Sequence, residues 1–230
     1  MAELSSVPFA AGWWSFDLGR YRPCDSTYCL LPYDALPPLA QVDDAFDWLT
    51  PRSGRAGDGA DPSGNAEEAR SQVETLVADA AAHGLTLPAS FVRLMSAPDL
   101  QGRIPSCTAC EFALGDSLVA LPGSDGAYAV SFLHDQQDCV VWYLYLAPSG
   151  DHCVLSYPGD YELDVDGMQA DETEKATEAF RFAAPTFTDF IHRFWLENVL
   201  WFKLHSRDHP SLTAEERAYV DHYARQSGQA

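Results

Sequence analysis

The sequence predicts an α+β domain: a mostly antiparallel mixed sheet of about six strands with helices packed against it. Three observations carry that expectation. Residues 111–157 hold short runs of β-branched and aromatic residues, separated by Pro-Gly-Ser-Asp-Gly at 122–126 and Pro-Ser-Gly-Asp at 148–151, which is the pattern of a meander. Segments with apolar residues three or four apart stand on either side of that region, at 66–83 and 187–202. A chain of 230 residues with 47% hydrophobic types buries enough core to hold such layers together, which excludes a wholly disordered chain.

From the N-terminus, residues 13–36 mix aromatics, Cys and Pro without a helical period, and Ser26–Leu31 fits a strand. Leu39, Val42, Phe46 and Leu49 then recur at helical spacing behind Pro37 and Pro38, which predicts a short helix. Thr50 to Gly64 is rich in Gly, Pro, Ser and Asp and reads as a flexible linker. Residues 1–64 are therefore expected to form an N-terminal extension, and 65–230 the α+β domain. Asn65 suits the N-cap of a helix over 66–83, with Val73, Leu76, Val77, Ala80 and Ala81 on one stripe and Gly84 at its end. Pro88 opens a second short helix that buries Phe91, Leu94 and Met95.

Expected strands are Glu111–Leu114, Ser117–Leu121, Tyr128–Leu133, Cys139–Leu146 and Cys153–Tyr157. Val140–Leu146, almost continuously bulky and apolar, reads as a central strand covered on both faces. Thr186 and Asp189 fit a capping box for a helix whose Phe187, Phe190, Ile191, Phe194 and Trp201 pack on the sheet. Thr213 and Glu216 open a last helix that ends near Gln226.

Acidic residues number 34 and basic ones 14, a net charge of −20 that repels phosphate backbones and anionic lipid. Nucleic acid and membrane are thus disfavoured as partners. The longest apolar run, from Val140, is about half the roughly twenty residues of a spanning helix, and the N-terminus lacks the basic start of a secretory signal. A cytoplasmic chain follows as the expectation, and with it six free cysteines. Two segments carry most of the charge: 158–178 with a net −7 and 41–79 with a net −6.

Several motifs have a chemical reading beside a plain one. Gly115-Asp116-Ser117-Leu118 resembles the nucleophile block of the GDSL esterases, with Asp189 and His192 as the rest of a triad. A strand-like Val119-Ala120-Leu121 follows where a helix is needed, and the oxyanion-hole blocks are missing, so a turn between strands is the expected role. Cys107 and Cys110 with Cys24 and Cys29 have spacings that suit a zinc site, but the pairs lie about eighty residues apart and lack knuckle residues. Glu162-Leu-Asp164-Val-Asp166-Gly167 looks like half of a calcium loop, yet it starts on Glu and has Thr173 at the twelfth position. The plain reading is a strand with Asp160, Glu162, Asp164 and Asp166 toward solvent and Tyr161, Leu163 and Val165 inward. His134, His152, His205, His209 and His222 read as surface residues, and no Gly-rich phosphate loop occurs. No catalytic set, cofactor or metal is expected.

Leu87-Pro-Ala-Ser-Phe-Val-Arg-Leu-Met95, the strand pair within 132–155 and Ala184-Pro-Thr-Phe-Thr-Asp-Phe-Ile191 with the helix it opens resemble, in order and spacing, the SUKH superfamily of the yeast glucan regulator and its bacterial relatives. The resemblance covers Leu87 to Tyr223 and implies structural roles for Leu87, Pro88, Phe91, Phe187, Phe190 and Ile191. It also implies a non-enzymatic role as an immunity protein that neutralises a toxin, often a nuclease, with a regulatory interaction or scaffold domain of unknown partner as the alternative. A basic toxin domain suits a chain of charge −20 by electrostatic steering. The interface expected from charge clustering is Asp160, Tyr161, Glu162, Asp164, Asp166, Asp171 and Glu172.

Overall fold

The computed structural model describes residues 8–49, 62–121, 124, 126–162, 175–208 and 210–226. Among the described residues seven strands form one sheet: β1 (Ala10–Ser15), β2 (Cys29–Pro32), β3 (Val119–Ala120), β4 (Tyr128–His134), β5 (Val141–Leu146), β6 (His152–Tyr157) and β7 (Arg181–Ala184). Their order is β2-β1-β7-β6-β5-β4-β3. Every pairing is antiparallel except β1 with β7, where Ala10 lies beside Arg181 and Ala11 beside Phe182. The α+β class and mixed, mostly antiparallel sheet are as expected, with slightly more strands. Glu111 adds an isolated bridge to His134 on the β4 edge, where a full strand over 111–114 was expected.

Helices among the described residues that pack with the sheet include α1 (Pro62–Ala82), α2 (Ala89–Met95), α3 (Pro98–Gln101), α4 (Phe187–Leu204) and α5 (Ala214–Gln226). Helix α1 starts at Pro62, ahead of the expected cap at Asn65. It ends as its sequence predicts. Gly84 takes φ +72°, and the Leu85 and Gly84 amides donate to the Ala80 and Ala81 carbonyls, closing a Schellman turn. At the start of α4, the Thr186 hydroxyl accepts from the Asp189 amide at 3.0 Å and donates to the Asp189 carboxylate at 2.8 Å. Thr213 and Glu216 form the corresponding reciprocal box ahead of α5.

Strand β5 is buried along its whole length, because both faces of the sheet are covered. On one face Val130, Phe132, Trp142, Leu144 and Val154 meet Leu76 of α1, Phe91 of α2 and Phe187, Phe190 and Phe194 of α4. On the other, Ala129, Tyr143, Tyr145, Leu155 and Tyr157 pack with Tyr161, Phe180 and Phe182. A third cluster joins Phe16 and Leu18 to Leu196 and Leu200 of α4 and to Tyr219, Val220 and Tyr223 of α5.

Three expectations are corrected. Residues 38–49 form turns in place of a helix: Asp43 Oδ1 accepts from the Ala45 and Asp47 amides, and Phe46 sits at φ +60°. A short acidic side chain competing for nearby amides breaks the helical ladder there, although Phe46 and Leu49 are buried as their spacing implied. Second, the described part of the N-terminal extension, residues 8–49, supplies two strands and part of the core, with Trp13 and Phe46 buried; the linker at 50–61 lies outside the described residues. Third, Cys24 and Cys29 are joined in a disulfide with their Cα atoms 6.0 Å apart, so the expectation of six free thiols fails at these two.

Candidate functional site

Of the seven expected interface residues, Asp160, Tyr161 and Glu162 lie among the described residues; Asp164, Asp166, Asp171 and Glu172 do not. The expected strand with alternating faces is not what holds the first three. Tyr161 and Glu162 are helical, and Asp160 acts as the cap, its Oδ1 accepting from the Glu162 amide at 3.0 Å. The same oxygen accepts from the Tyr143 hydroxyl at 3.1 Å, and that hydroxyl accepts in turn from the Tyr161 amide at 3.0 Å. This turn is therefore pinned to the middle of β5.

Tyr161 points inward as expected and is 1% exposed, against Tyr157 and Phe180. Its hydroxyl lies 2.9 Å from Thr177 Oγ1. That contact joins the two sides of the acidic stretch: residues 163–174, with five carboxylates and no base, run between a turn on β5 and a turn ahead of β7. Glu162 is half-buried and accepts weakly from Ser131 Oγ at 3.4 Å. Burial and the neighbouring Asp160 charge push its carboxyl above the usual range. Burial, then Asp160, likewise raises the Tyr143 hydroxyl, which stays protonated and able to donate.

Neither Thr177 nor Tyr143 figured in the sequence reading of this site. Tyr143 was legible only as core, and its polar tip gains meaning from Asp160, seventeen residues on. Chemically the arrangement holds the Asp160 and Glu162 carboxylates on a turn fixed to β5.

The esterase-like residues are spread over separate tasks. Ser117 is exposed in the turn before β3. Asp189 belongs to the α4 cap, and His192 is buried with Nε2 3.2 Å from Glu215 of α5 and its ring against Trp48 and Trp195. Among the described residues the Ser–His and His–Asp contacts of acyl transfer are not formed. The Gly115 to Leu118 stretch has a structural reason instead. The Gly115 amide donates to Ser131 O at 2.9 Å, and a Cβ on Gly115 would lie 2.7 Å from Ser131 Oγ. The Leu118 amide donates to Asp79 of α1 at 3.0 Å.

Cys24 and Cys29, bonded to each other, cannot supply half of a zinc site. Cys107 and Cys110 are partly buried thiols; burial and its neighbour Cys110 push Cys107 up to about 12, which opposes the thiolate that a metal or a substrate requires. Cys110 packs by the Tyr28 hydroxyl, which donates to Asp135 at 2.7 Å and so ties the disulfide loop to the β4–β5 turn. Among the described residues no group of three or more His, Cys, Asp or Glu is placed to hold a metal.

A buried ionic cluster stands apart from the acidic stretch. Glu197 of α4 is fully buried and accepts from Trp13 Nε1 at 2.9 Å and the Tyr219 hydroxyl at 2.6 Å, and pairs with Arg22. Arg22 also donates to the Tyr223 hydroxyl and to Phe16 O. These bonds run among the N-terminal segment, α4 and α5, which makes the cluster a fastening between elements. A lone acid beside Leu196 in an apolar helix was its one trace in the sequence.

No protein-family model, curated protein or solved structure matches the chain. No helix among the described residues is long and apolar enough to cross a membrane.

Proposed function

We propose that this chain is a non-enzymatic, acidic protein-binding module whose partner is a basic protein domain. The observation that carries the reading is the Tyr161–Thr177 contact, which joins residues flanking the five-carboxylate stretch 163–174. Tethering the ends lowers the conformational freedom lost when a partner docks. The charge of −20 accelerates encounter with a basic surface and keeps nucleic acid away.

Within this reading the partner is a toxin domain, possessing the basic surface with which a nuclease holds its substrate, and the chain is an immunity protein of the SUKH kind acting in the cytoplasm. The resemblance of 87–223 to that superfamily supports the specific role. The Cys24–Cys29 bond adds a condition, since cytosolic thiol pools oppose disulfides; the bond need not be present for the acidic face to act.

The test is the affinity for a toxin domain encoded beside this chain, compared with that of the quadruple variant Asp164→Lys, Asp166→Lys, Asp171→Lys and Glu172→Lys. Asp160 and Glu162 are left alone because they hold the turn. The expected result is a loss of at least about 100-fold, from four reversed rim charges, with an unchanged unfolding midpoint. Equal affinity contradicts the assignment.

A further inference from the structure

A second site is built from the opposite charge. Three of the fourteen Lys and Arg, Arg20, Lys203 and Arg217, come together where α4 ends and α5 begins. A cleft of about 530 Å³ opens there, lined by Arg20, Tyr21, Lys203, Leu204, Leu212 and Arg217 among others. Its size is that of a small-molecule pocket. Its walls divide by chemistry into an apolar part, Leu18, Leu204, Pro210 and Leu212 with the Tyr21 ring, and three cationic side chains.

The local ion pairs leave two of those cations unneutralised. Lys203 Nζ is held between both Glu216 oxygens at 2.7 and 2.8 Å. Asp17, the acid nearest Arg20 in the chain, is occupied by the Gly19 amide at 3.0 Å and His205 Nε2 at 3.1 Å. Arg20 spends one nitrogen on the Tyr21 hydroxyl at 2.9 Å. Arg217 has no side-chain partner among the described residues. A guanidinium takes a carboxylate through two parallel bonds, which the Arg20 and Arg217 forks make available beside an apolar wall.

We propose that this cleft binds small organic carboxylates, the carboxylate held by Arg217 with Arg20 and a short apolar body lying on Leu204 and Leu212. The site is independent of the acidic stretch and of the toxin reading.

Titration of the ¹⁵N-labelled full chain with hexanoate, followed by amide chemical shifts, tests it. The expected result is saturable shifts at residues 19–21, 203–204 and 212–217. Arg217→Gln weakens binding at least tenfold while Arg93→Gln, on another surface, leaves it unchanged. Acetate supplies the charge without the body and 1-hexanol the body without the charge, and each binds at least tenfold more weakly than hexanoate. Absence of saturable shifts at those amides overturns the proposal, as does unchanged binding by Arg217→Gln or binding of acetate or hexanol as tight as hexanoate. An unchanged unfolding midpoint for Arg217→Gln shows that a weakened affinity belongs to the cleft and not to the fold.

Discussion

Glu197 shows how much one side chain decides. Burial alone would raise its carboxyl pKa, but the Arg22 charge and the bonds from Arg22, Tyr219 and Trp13 outweigh burial and hold it below the usual carboxylate value. Glu197→Ala strands the Arg22 guanidinium in the interior, and denaturant unfolding is expected to show a loss of about 3–5 kcal/mol. His192 is shifted downward by burial, which the Glu215 charge offsets only in part. Both groups have folded pKa values below their unfolded ones, so each contributes stability that is complete above its unfolded pKa and lost as pH falls through the folded value. Stability should therefore fall below about pH 6.5 as His192 takes its proton, and again below about pH 4.3 as Glu197 does. Unfolding midpoints at pH 7.5, 5.5 and 4 measure this, and His192→Gln should reduce the first step, to which His152, also shifted downward by burial, contributes; an unaltered first step rules out His192 as a source. Gly115 was legible in the sequence as part of a turn, but its need to be Gly was not. That need comes from Ser131 on a strand paired later in the chain, and Gly115→Ala should cost about 1–3 kcal/mol through overpacking.

Among the elements, those fixed by local chemistry were legible and those fixed by distant pairing were not. The caps of α4 and α5 and the Gly84 turn lie within a few residues of the helices they bound, and each stands where its motif predicts. Strand β7 is only four residues long, between an acidic stretch and Pro185, and its identity depends on β6 and β1 on either side. Strand β1 was hidden as well: Gly12-Trp13-Trp14 alternates weakly, and what makes it a strand is pairing with β2 on one side and, 171 residues on, with β7 on the other. At 38–49 the apolar spacing foretold burial correctly and helix wrongly, since Asp43 captures the amides a helix needs. The disulfide is an element-scale prediction. Denatured, unreduced protein should show four reactive thiols of the six. Cys24→Ser with Cys29→Ser should cost about 2 kcal/mol by loop-closure entropy for so short a loop. Six reactive thiols would contradict the bond.

At the scale of the whole molecule, strands from the N-terminal segment complete the sheet beside β7. Because β1 pairs with β7 and Arg22 with Glu197, the segment 65–230 lacks part of its own core, and a fragment of those residues should give a collapsed state without the near-ultraviolet circular dichroism of fixed aromatic packing. A native-like spectrum from the fragment would show that 8–49 is dispensable. Charge is organised at this scale as well, with five carboxylates in the stretch 163–174 and Arg20, Lys203 and Arg217 brought together by the end of α4. Composition revealed the acid; the cationic cleft was invisible in it, because its three cations come from residues almost two hundred positions apart. The central claim, that the acidic face meets a basic protein, is tested most directly by the association rate constant with the neighbouring toxin domain, measured from about 20 to 300 mM salt, across which the screening length shortens several-fold. A steered encounter predicts at least a tenfold fall over that range. A rate independent of salt would contradict it.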